Sequence, residues 1–308
     1  MAMNQAVFPY NRRMRLQKLL LTATLLCATI SLAAQSPIST DPVPDKQNPA
    51  AMQSFQLSSH GALLNAFVYI ASGPGPHPTV ILLHGFPGNE KNLDLAQSIR
   101  RAGWNVLYFN YRGSWGSPGD FSFTHCIEDV QSAITYLRDP ANAKKLRVDS
   151  THLVLIGHSM GGFMTIQGAA NDPAIKAIAT ISAADFNAAR LQSLPADKHD
   201  AIVKTIATHL ADEGMAPLAG TTPESLANEL IANAAAWSFP AAAPKLATRH
   251  ILVLTSDDGL APANDVFVEA LHKAGNQQVN EIHMPTDHAY SDHRIALQQA
   301  ILDFLKQN

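Results

Sequence analysis

Two stretches of this chain are apolar at every position, Val80-Ile81-Leu82-Leu83 and Leu153-Val154-Leu155-Ile156. A strand wet on one face alternates apolar with polar side chains. An unbroken apolar run this short therefore marks a strand covered on both faces, as in a parallel sheet between two layers of helices. Strand-like runs recur at 63–70, 79–84, 106–110, 152–157, 177–182, 250–256 and 279–284, with helical periodicity between them at 92–103, 127–138, 160–171, 264–274 and 292–306. The alternation predicts one α/β domain over 55–308, with a mostly parallel central sheet and helices on both faces. Between 182 and 250 the rhythm stops. Ala-rich helical stretches at about 197–213 and 222–236 replace it, and a structureless loop of that length is uncommon, so an inserted helical cap is expected over about 184–248. The cap's apolar residues, among them Met215, Leu218, Trp237 and Phe239, either line a binding site or dock the cap onto the core.

Ahead of the domain, the first 34 residues carry only positive charge, at Arg12, Arg13, Arg15 and Lys18, and residues 19–34 are uncharged and end in Ser31-Leu32-Ala33-Ala34. A basic stretch, a short apolar core and small residues at a cleavage point are the pattern of a signal peptide, expected over 1–34. The alternative, a membrane anchor, would need about 20 apolar residues to span. Translation from Met14 would shorten the leader. Cys27 follows Leu25-Leu26 rather than a small residue, which argues against a lipoprotein anchor. Export to the periplasm or beyond the cell is thus expected, with no stable membrane insertion after cleavage. Residues 35–54, rich in Pro, Ser, Asn and Asp, read as a disordered linker.

Charge narrows the classes of partner. The whole chain has 22 Lys plus Arg against 25 Asp plus Glu, a net −3, and losing 1–34 removes four basic and no acidic residues, leaving −7. An acidic surface without a basic field excludes a dedicated nucleic-acid binder. Two cysteines, Cys27 and Cys126, make no disulfide framework, and no Cys/His cluster has zinc spacing, so no metal and no cofactor are expected.

The strand at 152–157 runs into Gly157-His158-Ser159-Met160-Gly161, and a helical pattern follows at once. The G-x-S-x-G pentad alone is a weak signal. Its strand-turn-helix setting is what strengthens it, because a sharp turn there lifts a serine hydroxyl above the carboxyl edge of a sheet, where only Gly leaves room for the backbone. A serine at that position also suits a helix N-cap. Beyond two later strands lie Asp257-Asp258-Gly259-Leu260-Ala261-Pro262 and Asp287-His288-Ala289-Tyr290-Ser291-Asp292-His293.

With these segments, and with His84-Gly85-Phe86-Pro87-Gly88 and Asn110-Tyr111-Arg112-Gly113-Ser114, the sequence resembles the α/β-hydrolase superfamily over essentially all of 55–308. The likeness is to its dienelactone-hydrolase and prolyl-oligopeptidase-like branch. It implies the α/β-hydrolase fold and a triad in the chain order Ser, acid, His, which maps onto Ser159, Asp258 and His288. Asp258 stands four residues before Pro262, as the acid does in the family's Asp-x-x-x-Pro turn, with Asp257 as the alternative. His293, expected in the first turn of the last helix, is the alternative base. The resemblance also implies two oxyanion-hole donors, the backbone N–H groups of Met160 and Phe86; Pro87 has no N–H to offer. His84 is expected to brace the loop after the first buried strand. Serine at the elbow sets the chain apart from branches that place Asp or Cys there.

The implied activity is hydrolysis of a small-molecule carboxylic ester of short to medium size through an acyl-enzyme, since no long apolar lid is evident. Trp115, His158 and Trp237 are candidate substrate contacts or plain packing residues. An amide-cleaving peptidase of the prolyl-oligopeptidase-like type is the alternative, although no clear motif for a peptide N-terminus is found and 308 residues are few for an added propeller. A non-catalytic binding protein on the same fold would require a broken triad, and all three residue types are present.

Overall fold

The computed structural model describes residues 36–186 and 198–308 together with Met1. The expected leader lies outside the described residues, Met1 apart, as does 187–197 of the expected cap. Eight strands form one sheet: β1 (Ala51–Ser59), β2 (Ala62–Ile70), β3 (His77–Leu83), β4 (Asn105–Phe109), β5 (Val148–His158), β6 (Ala177–Ile181), β7 (His250–Ser256) and β8 (Val279–Met284). Their order is β1-β2-β4-β3-β5-β6-β7-β8. β1 and β2 form an antiparallel hairpin and β2 pairs antiparallel with β4, while every pair from β4 to β8 is parallel.

The unbroken apolar runs follow from two separate cores. Ile81, Leu83, Leu153 and Leu155 enter one, while Val80, Leu82, Val154 and Ile156 enter the other on the opposite face. The second core is covered by α1 (Leu93–Arg101) and, at the end of the chain, by a helix over Arg294–Leu305. The first is covered by α2 (Phe123–Arg138), α3 (Pro140–Leu146), α4 (Met160–Asn171) and a later helix over Ala261–Lys273. Between β6 and β7 the cap contributes α5 (His199–Asp212), α6 (Pro223–Trp237) and a short α7 (Phe239–Ala242). The two helices flanking β8 are therefore α8 (Ala261–Lys273) and α9 (Arg294–Leu305).

Cap and body are joined by specific bonds as well as by apolar contact. Glu229 on α6 accepts from the backbone N–H groups of Phe123 and Thr124 at 3.0 and 2.8 Å, placing a carboxylate on the positive end of α2. Trp237 is buried edge-on against Phe163 and Phe123.

One expectation needs correction. The segment 35–54 is not a free linker up to Phe55, because β1 begins at Ala51 and pairs with β2 along its full length. Upstream of it, Arg101 binds the carbonyls of Pro37 and Ile38, Arg147 that of Pro49, and the Gly73 N–H donates to Asn48. Residues 36–54 are polar because most of them lie exposed or half-exposed over the outside of the body, where Asp45 also binds the N–H groups of Gln47 and Asn48. Helix α3, absent from the sequence reading, starts at Pro140 behind Asp139, whose carboxylate caps Ala141 and Asn142.

One buried ion pair ties three elements together. Asp129 on α2 accepts from the backbone N–H and Nε of Arg112 at 2.8 and 2.7 Å, and from the hydroxyl of Ser59 at the end of β1 at 2.6 Å. The Arg112 guanidinium also bonds the His125 carbonyl and the Glu128 carboxylate. The Asp129 side chain is 0% exposed and that of Glu128 38%. Asp129→Ala is expected to lower stability by about 3 kcal/mol or more, because a guanidinium is left buried without its main partner. Glu128→Ala, which loses a pair open to water, should cost less than about 1 kcal/mol. Urea midpoints of the two variants test the order.

Candidate active site

The turn between β5 and α4 is built by close backbone contact. A Cβ on Gly157 would overlap the carbonyl of Gly161, and one on Gly161 would overlap the carbonyl of Leu83 at the end of β3. Only hydrogen fits at either place, so the two glycines flanking His158-Ser159-Met160 are a steric requirement of this crossing. Between them Ser159 has φ 57° and ψ −122°, a region that costs a residue with a Cβ about 1–3 kcal/mol. Its backbone is held on both sides: its N–H donates to Ile181 at 2.9 Å and its carbonyl accepts from Gly162 and Ala184. Ser159 occupies the N-cap position of α4, yet its hydroxyl makes no capping bond. The side chain is half-buried and lies against Gly85, where an added Cβ would come within 3.5 Å of Oγ.

The adjacent aspartates at the end of β7 part ways. Asp258 Oδ2 lies 2.7 Å from Nδ1 of His288, while its Oδ1 accepts from the Leu260 N–H at 2.9 Å. Asp257 faces outward and meets Nε2 of His283 at 3.1 Å, an exposed pair. His293 sits at the N-cap of α9 with Asp292 as its partner, one position before the helix proper, so the expected place in the first turn is shifted by a residue. The structure thus brings Asp258 and His288 together and keeps Asp257 and His293 apart from them.

Behind Asp258 lies a group of hydroxyls that sequence reading did not single out. Ser182 Oγ is 3.0 Å from Ser256 Oγ and 3.1 Å from the hydroxyl of Tyr290. The Asp258 side chain is 5% exposed, and burial alone would raise its pKa. Hydrogen bonds from His288, Leu260, Ser182 and Ser256 outweigh that and hold the carboxyl well below its usual range. Tyr290 is wholly buried, its phenol pushed up to about 12 by burial, so it stays a donor. The available signal was positional: Ser182 and Ser256 stand at the carboxyl edge of β6 and β7, and Tyr290 two residues after His288.

Of the two expected N–H donors, Met160 follows Ser159 directly and Phe86 follows Gly85, the glycine that lies against Ser159. Met160 is the first residue of α4, where the geometry of a helix leaves the N–H without an intrahelical acceptor. Among the described residues, the Phe86 N–H has no backbone acceptor. The peptide that carries it has its other end fixed, since Gly85 O accepts from Nδ1 of His84 at 2.8 Å. His84 therefore braces this loop, its ring packed between Tyr108 and Tyr111.

The three candidate substrate contacts fall in different places. His158 is buried under His288, with Nε2 donating to the His288 carbonyl at 2.8 Å and the two ring centroids 4.6 Å apart. Trp237 is packed in the cap-to-body seam. Trp115, half-buried, donates from its indole N–H to Pro87 O at 2.7 Å. Among the described residues, no group of three or more His, Cys, Asp or Glu gathers to hold a metal ion, and no helix is long and apolar enough to cross a membrane.

The sequence model described as "Alpha/beta hydrolase family" matches residues 80–299. Among curated relatives, the uncharacterized protein YfhR of Escherichia coli O157:H7 is 31% identical over 117 residues, 36% of this chain and 39% of that one. Acylamino-acid-releasing enzyme 1 of Oryza sativa subsp. japonica is 30% identical over 99 residues, 29% of this chain and 12% of that enzyme. The matched part is thus well under half the length of these relatives. Among solved structures, Est1E from Butyrivibrio proteoclasticus with ferulic acid bound superposes with a TM-score of 0.60 at 19% identity, covering 82% of this chain and 98% of Est1E. A hyperthermophilic esterase from Pyrobaculum calidifontis gives 0.61 at 17% identity, covering 98% and 99%. At such identities the likeness is one of fold.

Two buried imidazoles make the region acid-sensitive. Burial lowers the pKa of both His84 and His158 from 6.5 to about 4, so both are neutral at pH 7. The unfolded chain binds these protons near pH 6.5 and the folded chain only near 4, so stability falls as pH drops through that window, by up to roughly 3 kcal/mol per group. Urea midpoints measured between pH 7 and 4 should decline, and His158→Gln should flatten the decline even if its midpoint at pH 7 is lower.

Proposed function

The chain belongs to the alpha/beta hydrolase family, and from that premise we propose that it is an exported serine hydrolase that cleaves short to medium carboxylic esters through an acyl-enzyme. The observation that carries this reading is Ser159: a strained residue whose hydroxyl is spared from capping, on a turn beside a His288–Asp258 pair. A serine hydroxyl is a poor nucleophile at neutral pH and needs a base. Nδ1 of His288 is committed to Asp258, which leaves Nε2 to take the hydroxyl proton as Oγ attacks the ester carbonyl. Asp258, held ionised by its four donors, fixes that tautomer and stabilises the imidazolium. The negative charge that builds on the carbonyl oxygen is met by the N–H groups of Met160 and Phe86. Collapse of the tetrahedral intermediate expels the alcohol with the proton from His288. Water, activated by the same imidazole, then releases the acid and restores Ser159.

Ester cleavage is preferred over amide cleavage because solved structures with this fold include proteins described as esterases or carboxylesterases. The amide reading draws support from the match to acylamino-acid-releasing enzyme 1, although that match spans only 12% of the enzyme. The charge pattern of 1–34 supports export.

Ser159→Ala should lower kcat on a p-nitrophenyl ester by about a thousandfold or more while the protein stays folded. Wild-type-like turnover would remove Ser159 from the mechanism. Asp258→Asn should cost about 10³-fold or more, and Asp257→Asn no more than about threefold, by the same assay. Turnover of a matched p-nitroanilide at a rate comparable to the ester would move the assignment to an amidase.

A further inference from the structure

The turn 84–88, which carries the Phe86 N–H, is tethered on both sides of that group. On the near side Gly85 O is held by His84. On the far side Pro87 O accepts the indole N–H of Trp115 at 2.7 Å, and Gly88 leaves the room this requires, since a Cβ there would stand 2.8 Å from Trp115 Nε1. Trp115 is itself held against strain. Its φ of 48° lies in the left-handed region, a conformation that persists only where the surroundings over-determine it.

Those surroundings include the cap. The Trp115 backbone N–H donates to Pro217 O at 3.0 Å, and its carbonyl accepts from Asn110 Nδ2 at 3.3 Å. On either side, Ser114 bridges Leu218, Ala219 N–H donates to Gly113 O at 2.7 Å, and Phe121 N–H donates to Ala219 O at 2.9 Å. The Lys91 ammonium stands 4.1 Å from the centre of the indole ring. An indole with its N–H engaged and a cation over one face is poorly suited to an apolar substrate group, which would have to displace that cation or share the ring with it.

We infer that Trp115 is a positioning residue for the oxyanion turn: through Pro87 it sets where the Phe86 N–H points, and the cap segment 217–219 holds Trp115 in place. The inference rests on the serine-hydrolase reading and on Phe86 as one of the two donors. A donor lost outright from such a site costs about 10²–10³-fold in kcat, so a donor left in place on a loosened turn should cost about tenfold.

The test is Trp115→Phe, which keeps an aromatic ring and removes the N–H, compared with wild type and Ser159→Ala on a p-nitrophenyl ester, together with the affinity of a boronic acid that mimics the tetrahedral adduct. The expected result is kcat lower by about tenfold, KM within about twofold, and boronate binding weaker by the same factor as kcat. Should Trp115→Phe fail to fold by circular dichroism, incorporation of 3-benzothienylalanine at 115, the same shape without an N–H, decides in its place. Unchanged kcat and boronate affinity would overturn the inference, as would a raised KM at constant kcat, which is the signature of a substrate wall. In either case loss of activity in Ser159→Ala leaves the hydrolase reading standing. A wild-type protein that neither turns over the ester nor binds the boronate overturns both.

Discussion

The backbone of Gly161 against the carbonyl of Leu83 is the contact on which the rest of the site depends. It brings the end of β3, the end of β5 and the start of α4 to one point, at a separation that no side chain can share. Ser159 is left in the middle of that crossing with nowhere to go but a positive φ, which turns its hydroxyl out of the helix-capping position that serine ordinarily takes. The strain is small against the two cores that clamp the strands from either side, so the fold tolerates it. The same crossing sets Gly85, the residue before Phe86, against Ser159.

Around this point the polar groups are sorted by how each is satisfied. Asp258 is nearly enclosed, yet it accepts from an imidazole, a backbone N–H and two hydroxyls, and that makes a buried charge tolerable. Its neighbour Asp257 points to solvent and needs only His283. His84 and His158 are enclosed with a carbonyl each to donate to, and burial outweighs what favours a positive charge on them, so they stay neutral and act as braces. One buried region therefore holds an ionised carboxylate and neutral imidazoles side by side, the difference lying in how many hydrogen-bond partners favour the charged form of each.

Legibility in the sequence followed the range of the interactions. Strands β3 and β5 could be read because both faces are covered and every residue shows it. The cap helices showed in their own periodicity, and α5 and α6 lie within two residues of the expected spans. Strand β1 was not read at all, because Met52, Ser54, Gln56 and Ser58 face water at the sheet's edge and leave no apolar run. Helix α3 is a single capped piece of seven residues, too short for a period. The hydroxyls of Ser182, Ser256 and Tyr290 come from three segments up to 108 positions apart, and no local pattern joins them. Trp115, His158 and Trp237 all read as possible walls because composition does not distinguish a pocket from a seam.

The amino-acid sequence by itself determined the layered α/β architecture and the glycine-flanked turn at Ser159. Each of these is a matter of local periodicity or of steric room within a few residues. Which aspartate meets His288, which histidines are walled in and neutral, and what the indole of Trp115 holds were decided only by the tertiary structure. Those outcomes depend on where separate strand ends and the cap converge, and hydrogen-bond geometry changes within an ångström of placement, a distance on which residue spacing along the chain carries no information.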